Sequence, residues 1–185
     1  MEEKLAQWDR ELFVFLNNLG IEKYDGFWIF VTNPAHWIPL HILFFVLFFV
    51  AFPWKKAIYT GVMLLVTVLA TYLFTNLVKG FAVRLRPNNT PELEELIRIL
   101  QEPTNYSFFS GHASTSFAAT TFIVLVLSKT SKWIYLAFIW PVIFVMSRIY
   151  VGVHYPGDII VGAMVGIIFA YFFFRLYYKT EYKFQ

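Results

Sequence analysis

The 185 residues are 58% hydrophobic and 21% aromatic, and the formal net charge is +3. Twenty-two phenylalanines are too many for a water-soluble domain of this size, so residues 1–185 read as a single all-α polytopic membrane helix bundle. The lack of cysteine excludes disulfides, a thiol nucleophile and Cys-ligated zinc. The small charge, with no long basic stripe, argues against nucleic acid as a partner.

Residues 1–32 form the first segment. Leu5, Trp8, Leu12, Phe15 and Leu19 fall at helical spacing, while Asn17, Asn18, Gly20, Glu22, Lys23 and Asp25 interrupt any continuous span. The pattern predicts an amphipathic helix lying in the membrane interface and a short second helix over residues 25–32; the alternative is a poorly hydrophobic extra span. Residues 1–10 are charged and lack the apolar core of a cleavable signal peptide, so the first true span is expected to do the targeting.

The transmembrane core is expected over residues 33–178. Asn33-Pro34 is a helix start, and the apolar run to Phe52 is about 19 residues, roughly 28 Å at 1.5 Å per residue. After the basic turn Pro53-Trp54-Lys55-Lys56, a second span covers residues 57–78. Residues 79–109 read as a polar extracytoplasmic loop. Within it Glu92, Glu94, Glu95 and Arg98 fit either an amphipathic lid or a solvated surface helix. A third span covers residues 110–128, a fourth covers residues 133–153 with a bend expected at Pro141, and a fifth covers residues 156–178. The total is five transmembrane helices, or six if the N-terminal segment also crosses. Gly162 and Gly166 suit close packing within the monomer better than a dimer face, so a monomer is preferred. His36 and His41 read as interfacial structural histidines, with contact of His36 to a headgroup as the alternative.

Charge sets the expected orientation. Lys55, Lys56, Lys129, Lys132, Arg175, Lys179 and Lys183 cluster on one face against Glu181 alone, which predicts that this face is cytoplasmic. Every reactive candidate then reaches the opposite, outer face.

Three segments carry the chemistry. Lys79 and Arg86-Pro87 place two cations at the end of a span, which suits a phosphate; snorkelling to headgroups is the alternative, as it is for Arg84. Ser110-Gly111-His112 opens a helix whose free N–H groups and positive dipole end form an anion site, and His112 could protonate a departing oxygen. The alternative is an N-cap serine beside an interfacial histidine. Ser147-Arg148, His154 and Asp158 supply an anion holder, an imidazole able to attack phosphorus, and a carboxylate able to fix its tautomer. Asp158 could also be a simple helix-start charge.

Together these segments resemble the type 2 phosphatidic acid phosphatase superfamily, whose pattern is K-x6-RP, PSGH and SR-x5-H-x3-D. The present chain departs from it at Phe109, which stands where the family has Pro. The resemblance implies His154 as nucleophile, Asp158 as its orienter and His112 as general acid. It also implies that Lys79, Arg86, Ser110, Gly111 and Arg148 bind the phosphoryl group, with no metal and no cofactor. The substrate would be a lipid phosphate or pyrophosphate drawn from membrane lipids. Undecaprenyl pyrophosphate is favoured, with phosphatidylglycerophosphate or lipid A as alternatives. The expected setting is a bacterial inner membrane with the site facing the periplasm or outside. A reading from another class is a non-catalytic lipid or anion transporter, which would need the cations but not an oriented imidazole.

Overall fold

In lipid the backbone must satisfy its own hydrogen bonds, and the long apolar runs do so as helices. The computed structural model describes residues 2–184, and no strand occurs among them. The α-helices are α1 (Glu2–Asn18), α2 (Asp25–Thr32), α3 (Ile38–Ala51), α4 (Trp54–Ala82), α5 (Gly111–Leu127), α6 (Ile139–Tyr150) and α7 (Pro156–Thr180). By length and composition, four segments of the described residues can cross a membrane: Pro34–Ala51, Trp54–Leu93, Lys132–Tyr150 and Pro156–Lys183. The apolar helix α5 is shorter, at 17 residues, and lies enclosed by the others with most of its side chains buried.

Packing in the bundle depends on small residues, because lipid provides little hydrophobic drive between helices. Gly162 and Gly166 of α7 face the start of α5. A Cβ on Gly162 would lie 2.7 Å from the Ser110 carbonyl oxygen, and one on Gly166 would strike the Ser114 carbonyl oxygen. The G-x3-G therefore packs against α5 of the same chain. Helix α4 contributes a buried hydroxyl stripe in which Thr60, Thr67, Thr71 and Thr75 each return a hydrogen bond to the carbonyl four residues earlier, at 2.7–2.8 Å. Thr75 also bonds Ser114 of α5 at 2.8 Å, so buried polar groups are satisfied along the path to Lys79. An aromatic core joins α3, α5, α6 and α7 through Phe44, Phe48, Phe122, Trp140, Phe144 and Tyr177.

Helix α1 has the expected apolar stripe, with Leu5, Trp8, Leu12, Phe15 and Leu19 all exposed. Its other face packs against the rest of the protein. Phe13 packs with Leu93, Ile149 and Tyr155. Buried Asn17 donates to the carbonyls of Arg98, Ile149 and Tyr150 at 3.0–3.1 Å and accepts from Arg98 N at 2.7 Å. The helix is thus docked onto the end of α6 and onto the long loop.

Two local expectations are corrected. The segment carrying Glu92, Glu94, Glu95 and Arg98 is not an amphipathic helix. Pro87 and Pro91 each start a short 3₁₀ turn, Pro87–Asn89 and Pro91–Leu93, and the loop's backbone then bonds outward, to Asn17 and from Leu100 N to Val151 O at 3.1 Å. Arg98 binds both carboxylate oxygens of Asp25 at 2.7 Å, and this hydrogen bonding holds the Asp25 carboxyl below its usual range. The fourth span does not continue as one α-helix around Pro141. A 3₁₀ stretch, Lys132–Phe138, leads into α6, and Pro141 sits in the first α-turn, where its missing N–H is tolerated.

The α5–α7 contact has a direct test. Gly166→Val would press a branched side chain onto the Ser114 carbonyl and, at 2.9 Å, onto Ala118 N. Overpacking of this kind costs about 1–3 kcal/mol, so the thermal midpoint in detergent should fall by several degrees. An unchanged midpoint contradicts the contact.

Candidate active site

Lys79 lies in the last turns of α4, and Val83 ends that helix in the left-handed region at φ 46°. A β-branched residue is strained there. The turn redirects the chain so that Arg84 and Arg86 come back over the helix ends. Buried Lys79 donates to the carbonyls of Tyr106 and Ser107 at 2.6 and 2.9 Å. Buried Arg86 is fixed on three sides. Its Nε and Nη2 donate to the Asn105 carbonyl and Oδ1 at 2.8 Å, and its Nη1 donates to Val153 O at 2.9 Å.

The same Nη1 lies 2.9 Å from His154 Nε2. A guanidinium can only donate, so Nε2 is the accepting nitrogen and the proton of the neutral ring sits on Nδ1. That Nδ1 faces Asp158 Oδ2 at 3.3 Å. Burial, and then the neighbouring Arg86 cation, hold the imidazole well below the usual histidine range. The result is a neutral imidazole with its lone pair on Nε2, the form a nucleophile needs. Gly152, at φ 85°, makes the turn before it possible; a Cβ there would lie 2.6 Å from the Arg98 carbonyl oxygen.

Asp158 is fully buried and does two jobs. Its Oδ2 reaches back to Tyr155 N at 3.1 Å, capping α7, and also accepts from the Ser107 hydroxyl. Its Oδ1 accepts from Arg84 Nη1 at 2.8 Å. The helix-start and orienter readings of this residue are therefore compatible. Ser110 is the N-cap of α5, its Oγ accepting from Ala113 N at 3.3 Å, and its own N–H binds Asp158 O at 3.0 Å.

A cavity of about 520 Å³ starts among Lys79, Arg86, Asn105, Gly111, His112 and His154 and continues past Val68, Leu65, Leu64 and Phe45 between apolar helices. Gly61 helps form its far wall, where a Cβ would strike Phe45. One end thus suits an anion and the rest suits hydrocarbon. A second cavity of about 460 Å³ meets the first at His112 and is lined by Thr32, Asn33, His36, Gln101 and Arg148.

Of the residues singled out by sequence, Lys79, Arg86, Gly111, His112 and His154 share the first cavity. Asp158 supports His154 from behind. Ser110 is buried as a cap. Arg148 lines the second cavity: its Nη1 binds the Thr32 hydroxyl and, at 3.1 Å, Gln101 Oε1, while its buried Nε has no hydrogen-bond partner and remains an open donor. His36 stacks on Phe30 at a 4.0 Å centroid distance, and its Nδ1 lies 2.7 Å from Phe30 O; His41 Nδ1 lies 2.6 Å from Trp37 O. Asn105, Ser107, Gln101 and Thr32 are polar residues with no spacing signature, and Arg84, read as a phosphate holder or a snorkelling cation, instead binds Asp158 and Asp9.

Comparison with known proteins shows the family. Residues 60–182 match the PAP2 superfamily. A protein of Porphyromonas gingivalis named lipid A 4'-phosphatase is 29% identical over 95% of this chain and 75% of its own length. One of Sulfolobus acidocaldarius named undecaprenyl-diphosphatase is 30% identical over 84% of this chain and 72% of its own length. The transmembrane PAP2-type phosphatidylglycerolphosphate phosphatase of Bacillus subtilis shares the fold, with a TM-score of 0.76 at 20% identity over 96% of this chain and 88% of that one. With its spanning helices and a family match across most of its length, the chain is an integral membrane member of the PAP2 superfamily.

Proposed function

We propose that the protein hydrolyses a lipid phosphate or pyrophosphate through a phosphohistidine on His154. The observation that carries this reading is the neutral His154 ring, with Asp158 behind it and Arg86 in front, at the polar end of an apolar cavity. Nε2 attacks phosphorus and forms a P–N bond. The bond from phosphorus to the leaving oxygen breaks, and that oxygen takes a proton from His112. Water then attacks the phosphohistidine and gives its proton to His112, releasing phosphate and the free ring. Asp158 stabilises the positive charge the ring acquires. Arg86 Nη1, now on Nε2, marks the point where a phosphoryl oxygen would be received. Lys79, Arg148 and the Gly111 N–H at the start of α5 supply further charge and donors, while Ser110, whose own N–H is held by Asp158 O, caps that helix. Fixed cations meet the phosphate in this scheme, so the mechanism is metal-independent.

The site opens on the outer side. The opposite ends of α4 and α7 carry the basic residues, with Lys56 paired to Glu181 at 2.6 Å and Lys129 over the Tyr178 ring. An excess of Lys and Arg marks the cytoplasmic face. In this reading α5 is the fifth span and the membrane is a bacterial inner membrane. Undecaprenyl pyrophosphate is the favoured substrate. Lipid A is a second reading, favoured by the relative from Porphyromonas gingivalis that covers 95% of the chain.

Phosphate release from a panel of undecaprenyl pyrophosphate, lipid A and phosphatidylglycerophosphate in detergent tests the function. His154→Ala should reduce release about a thousandfold or more, and chelator should change nothing. Turnover by His154→Ala removes the nucleophile, and loss of activity with chelator removes the metal-free mechanism. Asn105→Ala, which removes the bonds that Arg86 Nη2 and Nε make to Oδ1 at 2.8 and 3.1 Å and keeps the one to the backbone carbonyl, should lower kcat/KM about 10- to 100-fold, equivalent to about 1.5–3 kcal/mol; a wild-type value contradicts that support. The depressed His154 pKa also sets a pH limit. The ring stays neutral as pH falls from 7 and protonates only below the ordinary value of 6.5, so the acidic limb of kcat/KM should lie below that value. A limb centred at 6.5 or above contradicts a buried, neutral nucleophile.

A further inference from the structure

Helix α1 lies outside the segment the family model matches, residues 60–182, yet it reaches the catalytic dyad. Arg84 is the link. Its Nη1 donates to Asp158 Oδ1 at 2.8 Å, its Nη2 donates to Asp9 Oδ2 at 2.7 Å, and its guanidinium lies 4.0 Å from the centroid of the Tyr155 ring. Asp9 Oδ1 then accepts from Gly157 N at 2.7 Å, in the first turn of α7. The ring of contacts closes from α1 to the loop, to α7 and back to α1. Gly157 leaves room for it, since a Cβ at that position would lie 2.8 Å from Asp9 Oδ2.

We propose that Asp9 and Arg84 are positioning residues for the reaction, holding the Asp158 carboxylate, and through it the His154 imidazole, in the attacking orientation. Asp158 Oδ2 is shared among the Ser107 hydroxyl, Tyr155 N and His154 Nδ1, the last at 3.3 Å. Three donors on one oxygen do not fix the plane of a carboxylate. Arg84 on Oδ1 does, and it keeps the Oδ2 lone pair turned toward the imidazole. The charges follow the same logic. A lone guanidinium beside Asp158 would oppose the positive charge that His154 gains on phosphorylation. Asp9 balances Arg84, so the Asp158 carboxylate remains available to the ring. With side chains only 27% and 16% exposed, Arg84 and Asp9 are largely shielded from water, where such a pair holds its geometry better than on a surface. The helix divides its labour by face: Asp9, Phe13 and Asn17 turn inward, while Trp8, Leu12 and Phe15 turn out.

This inference rests on the phosphohistidine reading, and the test separates the two. Phosphate release is measured from undecaprenyl pyrophosphate, lipid A and phosphatidylglycerophosphate in detergent. Arg84→Gln should lower kcat about 10- to 100-fold with KM within about threefold, as expected of a residue acting through its neighbour. Arg84→Lys, which keeps the charge, should recover much of the loss. Asp9→Asn should lower kcat by less, and Asp9→Asn with Arg84→Gln should be no worse than Arg84→Gln alone, because Asp9 acts through Arg84. A raised KM with unchanged kcat would put Arg84 on the substrate, and additive losses would make the two residues independent; either result overturns the proposal. If the wild-type protein releases phosphate from none of these lipids, the phosphatase reading fails. The positioning role is then judged by the ¹⁵N shift of His154 Nδ1 in histidine-labelled protein. That shift should move in Arg84→Gln and in the conservative Asp9→Glu, and no movement in either refutes it.

Discussion

The rest of the structure is arranged around a neutral, buried imidazole held between a carboxylate and a guanidinium. His154 has Asp158 on one ring nitrogen and Arg86 on the other. Each contact alone would be unremarkable, but together they decide the tautomer. The guanidinium has no lone pair to offer, so it assigns the accepting role to Nε2 and the proton to Nδ1. Burial then removes the charged form of the ring as a competitor. An imidazole in this state can attack phosphorus without first losing a proton.

Keeping so many ionic groups near hydrocarbon requires that each have somewhere to donate or accept. Lys79 is seated on two loop carbonyls, Arg86 on Asn105 and Val153, and Arg148 on Thr32 and Gln101. The long loop is therefore structural. Its backbone oxygens and amides form the polar lining of a site that the helices could not build from their own satisfied backbones. The strained turn at Val83 and the tight turn at Gly152 bring the loop and the α6–α7 connection into that position. The small residues of α5 and α7 have a related role, because their close approach places the N-terminus of α5 beside the first turn of α7. Ser110 N then bonds directly to the Asp158 carbonyl.

The N-terminal helix shows how a single element can face two environments. Its exposed apolar stripe has the pattern of a helix at a membrane surface, while the opposite face inserts Phe13, Asn17 and Asp9 among α6, α7 and the loop. Hydropathy responds to the stripe, which is long and regular. It cannot register the inner face, which consists of one aromatic ring and two short polar side chains whose partners lie more than 70 residues away in the chain.

Much of the plan was legible in the residues themselves. Long apolar runs must become helices in lipid, basic residues gather at one end of them, and Lys79, Arg86, His112, Arg148, His154 and Asp158 sit at the span ends that the alternation of the chain brings to the other face. Those are consequences of local chemistry and of the bilayer's thickness. The tertiary structure alone decided how these groups divide: Ser110 buried as a cap, Arg148 turned toward a second cavity that meets the first at His112, and Arg84 promoted to a direct contact with Asp158. It also replaced an expected loop helix with a pinned coil and supplied Asn105, Ser107 and Asp9 as supports. The reason is physical. A hydrogen bond between distant residues leaves no periodicity in the chain, so its members become visible only when the fold has brought them within 3 Å or so of each other.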